Sequence, residues 1–228
     1  MNPVSTLLPC IEIETGDNPQ YSVIWMHGLG ADGSDFEPVV PELGLPDSPA
    51  VRFVFPNAPE IAVTCNGGFV MPAWYDIISL DSTRRTVDEA GIVGTRMEIR
   101  RLIARENQRG IPCRRIFLAG FSQGGAIAYV TALTHPEALA GVIALSTYIP
   151  VSDLLTREAT RINESIPIFV AHGSEDDVVS LELGVRACEL LTELGHQYRW
   201  QTYPMPHSIC LEEIQDLGQW MGGILAAN

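Results

Sequence analysis

Ser122 stands in Gly120-Phe121-Ser122-Gln123-Gly124, with Gly125 following, so a hydroxyl sits among closely spaced glycines. The spacing GxSxG suits a strand-to-helix turn too tight for bulky neighbours, in which serine takes a strained backbone conformation and presents its Oγ at a sheet edge. The chemistry on offer is nucleophilic attack on a carbonyl, for which a serine needs an adjacent base. A serine that merely caps a helix is the plainer reading. Glycine two positions before, and two and three after, exceeds what capping requires. The GxGxxG spacing of a dinucleotide fingerprint is absent.

A serine in such a turn is followed along the chain by its acid and then its histidine. His27 precedes the serine, and His172 precedes every acid of its own loop. His135 ends the helix that begins at Ser122, which puts it at the opposite edge of a sheet. His196 precedes the strand at 198–203 and His207 follows it, so at about 3.3 Å per residue the two lie roughly 20 Å apart. His207 is the expected base. For the acid, Glu175, Asp176 and Asp177 share one loop after a strand, and any of them suits the orientation of an imidazole. Spacing does not separate them, and the loop lacks the alternating ligands and glycine of an EF-hand.

Strands must carry these groups to one place. β-branched and aromatic runs predict them at Tyr21–Met26, Val51–Phe55, Arg115–Ala119, Gly141–Leu145, Pro167–Ala171 and Tyr198–Tyr203. Between them, Ile92, Ile99 and Ile103 share one face of a helix spanning about Val87–Asn107. Further helices are expected at Ser122–Thr134, Leu181–Leu194 and Ile209–Leu225. Alternating β and α implies a mostly parallel α/β sheet flanked by helices, with its chemistry beyond the carboxyl ends of the strands. His27-Gly28-Leu29-Gly30, the Ser122 turn, His172 to Asp177 and His207 all follow strands.

Composition narrows the class. The 228 residues, 46% of them hydrophobic, can bury a full core. No repeat or linker divides them, so residues 1–228 are expected to form one domain. With 28 acidic against 14 basic residues the formal charge is −14, which disfavours nucleic acid and anionic membranes as partners. The basic residues are all arginine, so Schiff-base chemistry and a P-loop lysine are excluded. Half of them fall between Arg96 and Arg115, read as a solvated helix face. Five cysteines without a CxxC pair fit reduced thiols in a cytoplasm. Neither a signal peptide nor a run of roughly 18 apolar residues is evident, so no membrane insertion is expected.

Together these segments make the chain resemble the carboxylesterase, lysophospholipase and acyl-protein thioesterase family of small serine α/β-hydrolases. The likeness runs almost end to end. It includes His27-Gly28-Leu29-Gly30-Ala31-Asp32-Gly33 with Asp35-Phe36, Phe55-Pro56-Asn57-Ala58-Pro59, Asn66-Gly67-Gly68, Ala73-Trp74-Tyr75-Asp76-Ile77 and Asp88-Glu89-Ala90-Gly91-Ile92. Gly120 to Gly125, Leu145-Ser146-Thr147-Tyr148, His172-Gly173 with Asp176, and His207-Ser208 with Cys210 and Glu212-Glu213 complete it. The resemblance implies Ser122 as nucleophile, His207 as base and Asp176 as acid, four residues after the histidine of the His-Gly pair. It implies an oxyanion hole from the backbone N–H groups of Leu29 and Gln123, and leaves His27 a loop-stabilising role. Ser180 stands where the family pattern has proline.

Between Pro56 and Leu80 little periodicity is visible, yet Phe69, Val70, Met71, Trp74, Tyr75, Ile77 and Ile78 gather there. The expectation is a short irregular lid-like segment in place of a cap domain, with Gly67-Gly68 letting it move. By resemblance this segment lines the acyl groove, and Trp74, Met71 and Ile77 are the expected substrate contacts, Trp74 first. The implied activity is cofactor-free hydrolysis of acyl esters or thioesters through an acyl-enzyme, with no metal, nucleotide or flavin required. Small acyl esters, acylated proteins and lysophospholipids are the candidate substrates, and an apolar lip allows for a homodimer. The competing readings are a catalytically inactive hydrolase fold serving as a binding module, and an acyltransferase.

Overall fold

The computed structural model describes residues 7–80 and 85–227. Its central sheet has seven strands, β1 (Cys10–Glu14), β2 (Tyr21–Met26), β3 (Val51–Pro56), β8 (Ile116–Phe121), β9 (Gly141–Leu145), β10 (Ile168–Gly173) and β11 (Arg199–Tyr203). They lie in the order β1-β3-β2-β8-β9-β10-β11. Every neighbouring pair is parallel except β1 with β3. The sheet is therefore mostly parallel, as strand and helix alternation implied.

Side-chain alternation along the buried strands splits the core in two. Ile24, Met26, Val54, Leu118, Val142 and Val170 face one side, where they meet α2 (Glu89–Gln108), α3 (Gln123–Leu133) and α5 (Leu181–Glu193). Val23, Trp25, Phe53, Phe55, Ala119 and Phe169 face the other, against α1 (Val39–Glu42) and α6 (Leu211–Ala227). The helical stripe Ile92, Ile99 and Ile103 is fully buried on α2, joined by Leu102. The remaining helix, α4 (Ser152–Glu158), buries Leu154 and Leu155. No helix among the described residues is long and apolar enough to cross a membrane.

Two expectations change. The stretch between Pro56 and Leu80 is not irregular: β4 (Glu60–Val63) pairs with β5 (Phe69–Pro72), and β6 (Ile77–Leu80) pairs with β7 (Arg85–Val87), both antiparallel. A short 3-10 turn and the left-handed Gly67 and Gly68 join β4 to β5, so these glycines make a hairpin.

The arginine run is likewise no simple solvated face. Arg96 is buried and meets Glu158 at 2.6 Å, while Arg105 and Arg109 reach across to Glu12 of β1 at 2.8 and 2.9 Å. Arg52 of β3 joins the fully buried Glu106 at 2.9 Å and Glu14 at 2.8 Å. A buried carboxylate needs such partners, so the run ties α2 to β1 and β3.

Candidate active site

β8 ends at the turn and α3 begins immediately after it. Ser122 there has φ 53° and ψ −119°, a conformation L-residues rarely adopt. Its neighbours hold it: Ser122 N–H donates to Leu145 O at 2.9 Å, and Thr147 Oγ1 donates to Ser122 O at 2.6 Å. Glycine is required where backbones touch. A Cβ on Gly120 would lie 2.2 Å from the carbonyl carbon of Gly124, and one on Gly124 would lie 2.3 Å from Met26 O. The close packing inferred from the glycine spacing is thus a contact of β8, α3 and β2.

The loops after β10 and β11 are joined to each other. Ser174 N–H donates to Tyr203 O at 2.8 Å and Glu175 N–H to Met205 O at 3.1 Å, which fixes the approach of Asp176 to His207. Asp176 Oδ2 lies 2.7 Å from His207 Nδ1, and His207 Nε2 lies 3.0 Å from Ser122 Oγ. The other carboxylate oxygen, Oδ1, accepts the N–H groups of Val178 at 3.0 Å and Val179 at 2.7 Å. Of the three acids left open by spacing, Asp176 alone is buried, while Glu175 and Asp177 are exposed. With Asp176 accepting at Nδ1, the ring carries its proton there and leaves Nε2 free to accept from the serine hydroxyl. His172 is also close, 3.6 Å from Asp176 Oδ2, but its Nε2 bonds Val179 O at 2.8 Å. Burial lowers the pKa of His172, so it braces the acid loop as a neutral ring.

Leu29 lies in the loop after β2, and its N–H donates to no acceptor among the described residues. Gln123 is the first residue of α3, so its N–H has no intrahelical acceptor. Two unengaged donors thus flank Ser122. His27 supports the first of them: its Nδ1 contacts Gly28 O at 2.7 Å, while its Nε2 accepts from Ala58 N–H at 3.1 Å. Burial lowers its pKa, which keeps the ring neutral and able to accept.

The expected substrate contacts separate. Ile77 lines a cavity of about 370 Å³ beside Ser122, with Leu29, Leu80, Phe121, Val178 and His207. Met71 is half-buried in the β4–β5 hairpin and does not line that cavity; a Cβ on Gly30 would come within 3.8 Å of its sulfur. Trp74 is buried away from it, with its indole N–H donating to His27 O at 2.8 Å and its backbone N–H donating to Gln123 Oε1 at 2.8 Å. Gln123 Nε2 in turn donates to Tyr75 O at 2.8 Å. Trp74 therefore holds the two donor-bearing turns to the segment beside them.

The lining residues missing from the expected contacts include Leu80, Phe121, Arg85, Tyr148 and Val178. Phe121 is the variable residue of GxSxG and packs on His207 with ring centroids 4.7 Å apart. Arg85 lies over the Tyr148 ring at 4.8 Å and donates to Val178 O, closing one wall of the cavity.

Comparison with known proteins identifies the family. The profile of the phospholipase/carboxylesterase family matches residues 8–222. Acyl-protein thioesterase 1 of Mycosarcoma maydis is 39% identical over 242 residues, covering 100% of both chains. Acyl-protein thioesterase 1 of Neurospora crassa is 40% identical over 88% of this chain and 85% of its own. The crystal structure of SOBER1 from Arabidopsis thaliana superposes with a TM-score of 0.85 at 29% identity, covering 90% of this chain and 99% of that one. The fold is that of the α/β-hydrolases, and the chain belongs to the phospholipase/carboxylesterase family of serine hydrolases.

Proposed function

We propose that the protein hydrolyses acyl esters and thioesters through a Ser122–His207–Asp176 triad and a covalent acyl-enzyme. The observation that carries this reading is the continuous chain from Ser122 Oγ to His207 Nε2 at 3.0 Å and from His207 Nδ1 to Asp176 at 2.7 Å. His207 takes the hydroxyl proton as Ser122 Oγ bonds to the substrate carbonyl carbon, and Asp176 stabilises the charged ring. The oxyanion accepts from the N–H groups of Leu29 and Gln123, each worth about 10²–10³ in rate in such a site. His207 then gives its proton to the departing alcohol or thiol. Water, deprotonated by His207, attacks the acyl-enzyme and returns Ser122 to its starting state.

The acyl end of the substrate occupies the cavity lined by Leu29, Ile77, Leu80, Phe121 and Val178, whose volume lies within the range of small-molecule sites. The names of the thioesterase relatives support an acylated protein as one substrate class. An acidic chain of formal charge −14 suits approach by a basic acylated peptide. Phe69 and Val70, 70% and 56% exposed on β5, support self-association through this hairpin. Five free cysteines support a cytoplasmic location.

Hydrolysis of p-nitrophenyl esters of increasing chain length tests the activity. Ser122→Ala is expected to lose several orders of magnitude in kcat while keeping its thermal transition. A variant that hydrolyses these esters at the parent rate overturns the assignment.

A further inference from the structure

At the end of the sheet remote from Ser122, three side chains converge that the proposed hydrolysis does not use. Cys113 opens the short 3-10 turn before β8, while His135 and Glu137 lie just beyond the end of α3. Cys113 and His135 are buried and Glu137 is exposed, and one potential ligand atom from each lies within 4.8 Å of the others. Cys113 Sγ and His135 Nε2 are 3.8 Å apart. With Zn–S of about 2.3 Å and Zn–N of about 2.05 Å, a tetrahedral angle puts sulfur and nitrogen roughly 3.6 Å apart, so this pair needs almost no adjustment. The exposed carboxylate has to close by roughly one ångström, which a side-chain rotation provides.

We infer that Cys113, His135 and Glu137 form a binding site for a zinc-class divalent cation, with a fourth position open to water on the Glu137 side. The surroundings favour it. Asn163 is buried and its amide donates to His135 O at 2.9 Å and to Glu137 O at 3.1 Å, so one side chain holds the backbone of both ligands. Thr160 Oγ1 adds a bond to His135 O at 2.8 Å. Asn107 Nδ2 approaches Cys113 Sγ at 3.1 Å and provides a donor that steadies a thiolate. His135 Nδ1 is buried without a partner among the described residues, so with the metal on Nε2 the ring would carry its proton at Nδ1.

Thiol, imidazole and carboxylate together select a borderline-soft ion such as Zn²⁺ over Mg²⁺ or Ca²⁺. Binding converts the Cys113 thiol to a metal-bound thiolate and releases its proton to solvent. The six-residue β8 separates Cys113 from Ser122 by roughly 20 Å, so the ion acts on the fold and not on the acyl group.

The test titrates the reduced, chelator-treated full-length chain with Co²⁺ and follows thiolate-to-metal charge-transfer absorption, then displaces the Co²⁺ with Zn²⁺. One equivalent is expected to bind. The band disappears in Cys113→Ser, and affinity falls roughly tenfold or more in Glu137→Gln. Ester hydrolysis is retained in both variants and reports that they are folded. Absence of a band at saturating Co²⁺, or its persistence in Cys113→Ser, overturns the site. Should Cys113→Ser fail to fold, unchanged Co²⁺ affinity in Glu137→Gln, whose altered side chain is exposed, refutes the three-ligand assignment by itself.

Discussion

Replacing Gln123 by alanine separates what its backbone does from what its side chain does. The backbone N–H of residue 123 survives the change, but the buried Trp74 N–H and Tyr75 carbonyl each lose a partner at 2.8 Å. A buried backbone group left unsatisfied costs about 1–3 kcal/mol, and the carbonyl, with two lone pairs, falls at the low end. The expected destabilisation is roughly 2–5 kcal/mol, or about 5–15 °C in a chain of this length. Catalysis should suffer separately, because the clamp sets the distance between the Leu29 and Gln123 turns. A shift of about an ångström in one oxyanion donor costs up to roughly 10² in rate, so kcat is expected to fall between 10- and 100-fold with little change in KM. Calorimetry gives the first quantity and steady-state hydrolysis the second. Gln123→Glu should be at least as damaging, since it turns an acceptor toward the Tyr75 carbonyl. Were Gln123→Ala to match the parent within about 0.5 kcal/mol and retain full kcat, the clamp would have no role.

Trp74→Phe keeps an aromatic ring but loses the pyrrole half of the indole with its N–H to His27 O, and is expected to cost about 2–4 kcal/mol of stability in chemical denaturation, from the lost bond and the cavity together, with a modest fall in kcat. Asp176→Asn should lower kcat by roughly 10³–10⁴, because the amide no longer holds the His207 tautomer; a loss under tenfold in hydrolysis assays contradicts that role. Glu213 is fully buried with no side-chain partner among the described residues, and burial, opposed only by the Cys210 backbone, pushes its pKa up to about 8. The folded chain therefore holds a proton that the unfolded chain gives up at an ordinary carboxylate pKa, so this contribution to stability falls as pH rises from about 4.5 to 8 and then levels off. Glu213→Gln should flatten that slope and stabilise the protein above pH 8 by at most about 5 kcal/mol; denaturation at pH 5 and 8.5 reads the difference.

β2, β3, β8, β9 and β10 were legible because each is a buried, largely apolar run, β11 through its aromatic ends, and the position of Ser122 followed from β8 leading directly into α3. β1 escaped notice although Cys10–Glu14 alternates isoleucine with glutamate. Its outward glutamates matter through Arg105, Arg109 and Arg52, contacts that no local pattern displays. The hairpins of the 60–87 region were hidden by strands of only three or four residues. Trp74 read as a substrate contact because the family resemblance places its segment along the acyl groove. Only the placement of its two N–H groups against His27 and Gln123 reveals it as a brace. Choosing among Glu175, Asp176 and Asp177 needed either resemblance or burial, since all three share one loop. The grouping of Cys113 with His135 and Glu137 depends on the return of α3 along β8, and their separation in sequence gives no metal-ligand spacing.

The central claim is that Ser122 is an activated nucleophile that carries the acyl group. Treatment of the intact chain with a fluorophosphonate, followed by whole-protein mass and peptide mapping, tests it most directly. The account predicts a single adduct on Ser122, absent in Ser122→Ala and formed orders of magnitude more slowly in His207→Ala. Labelling at another residue, or equal rates with and without His207, would contradict it.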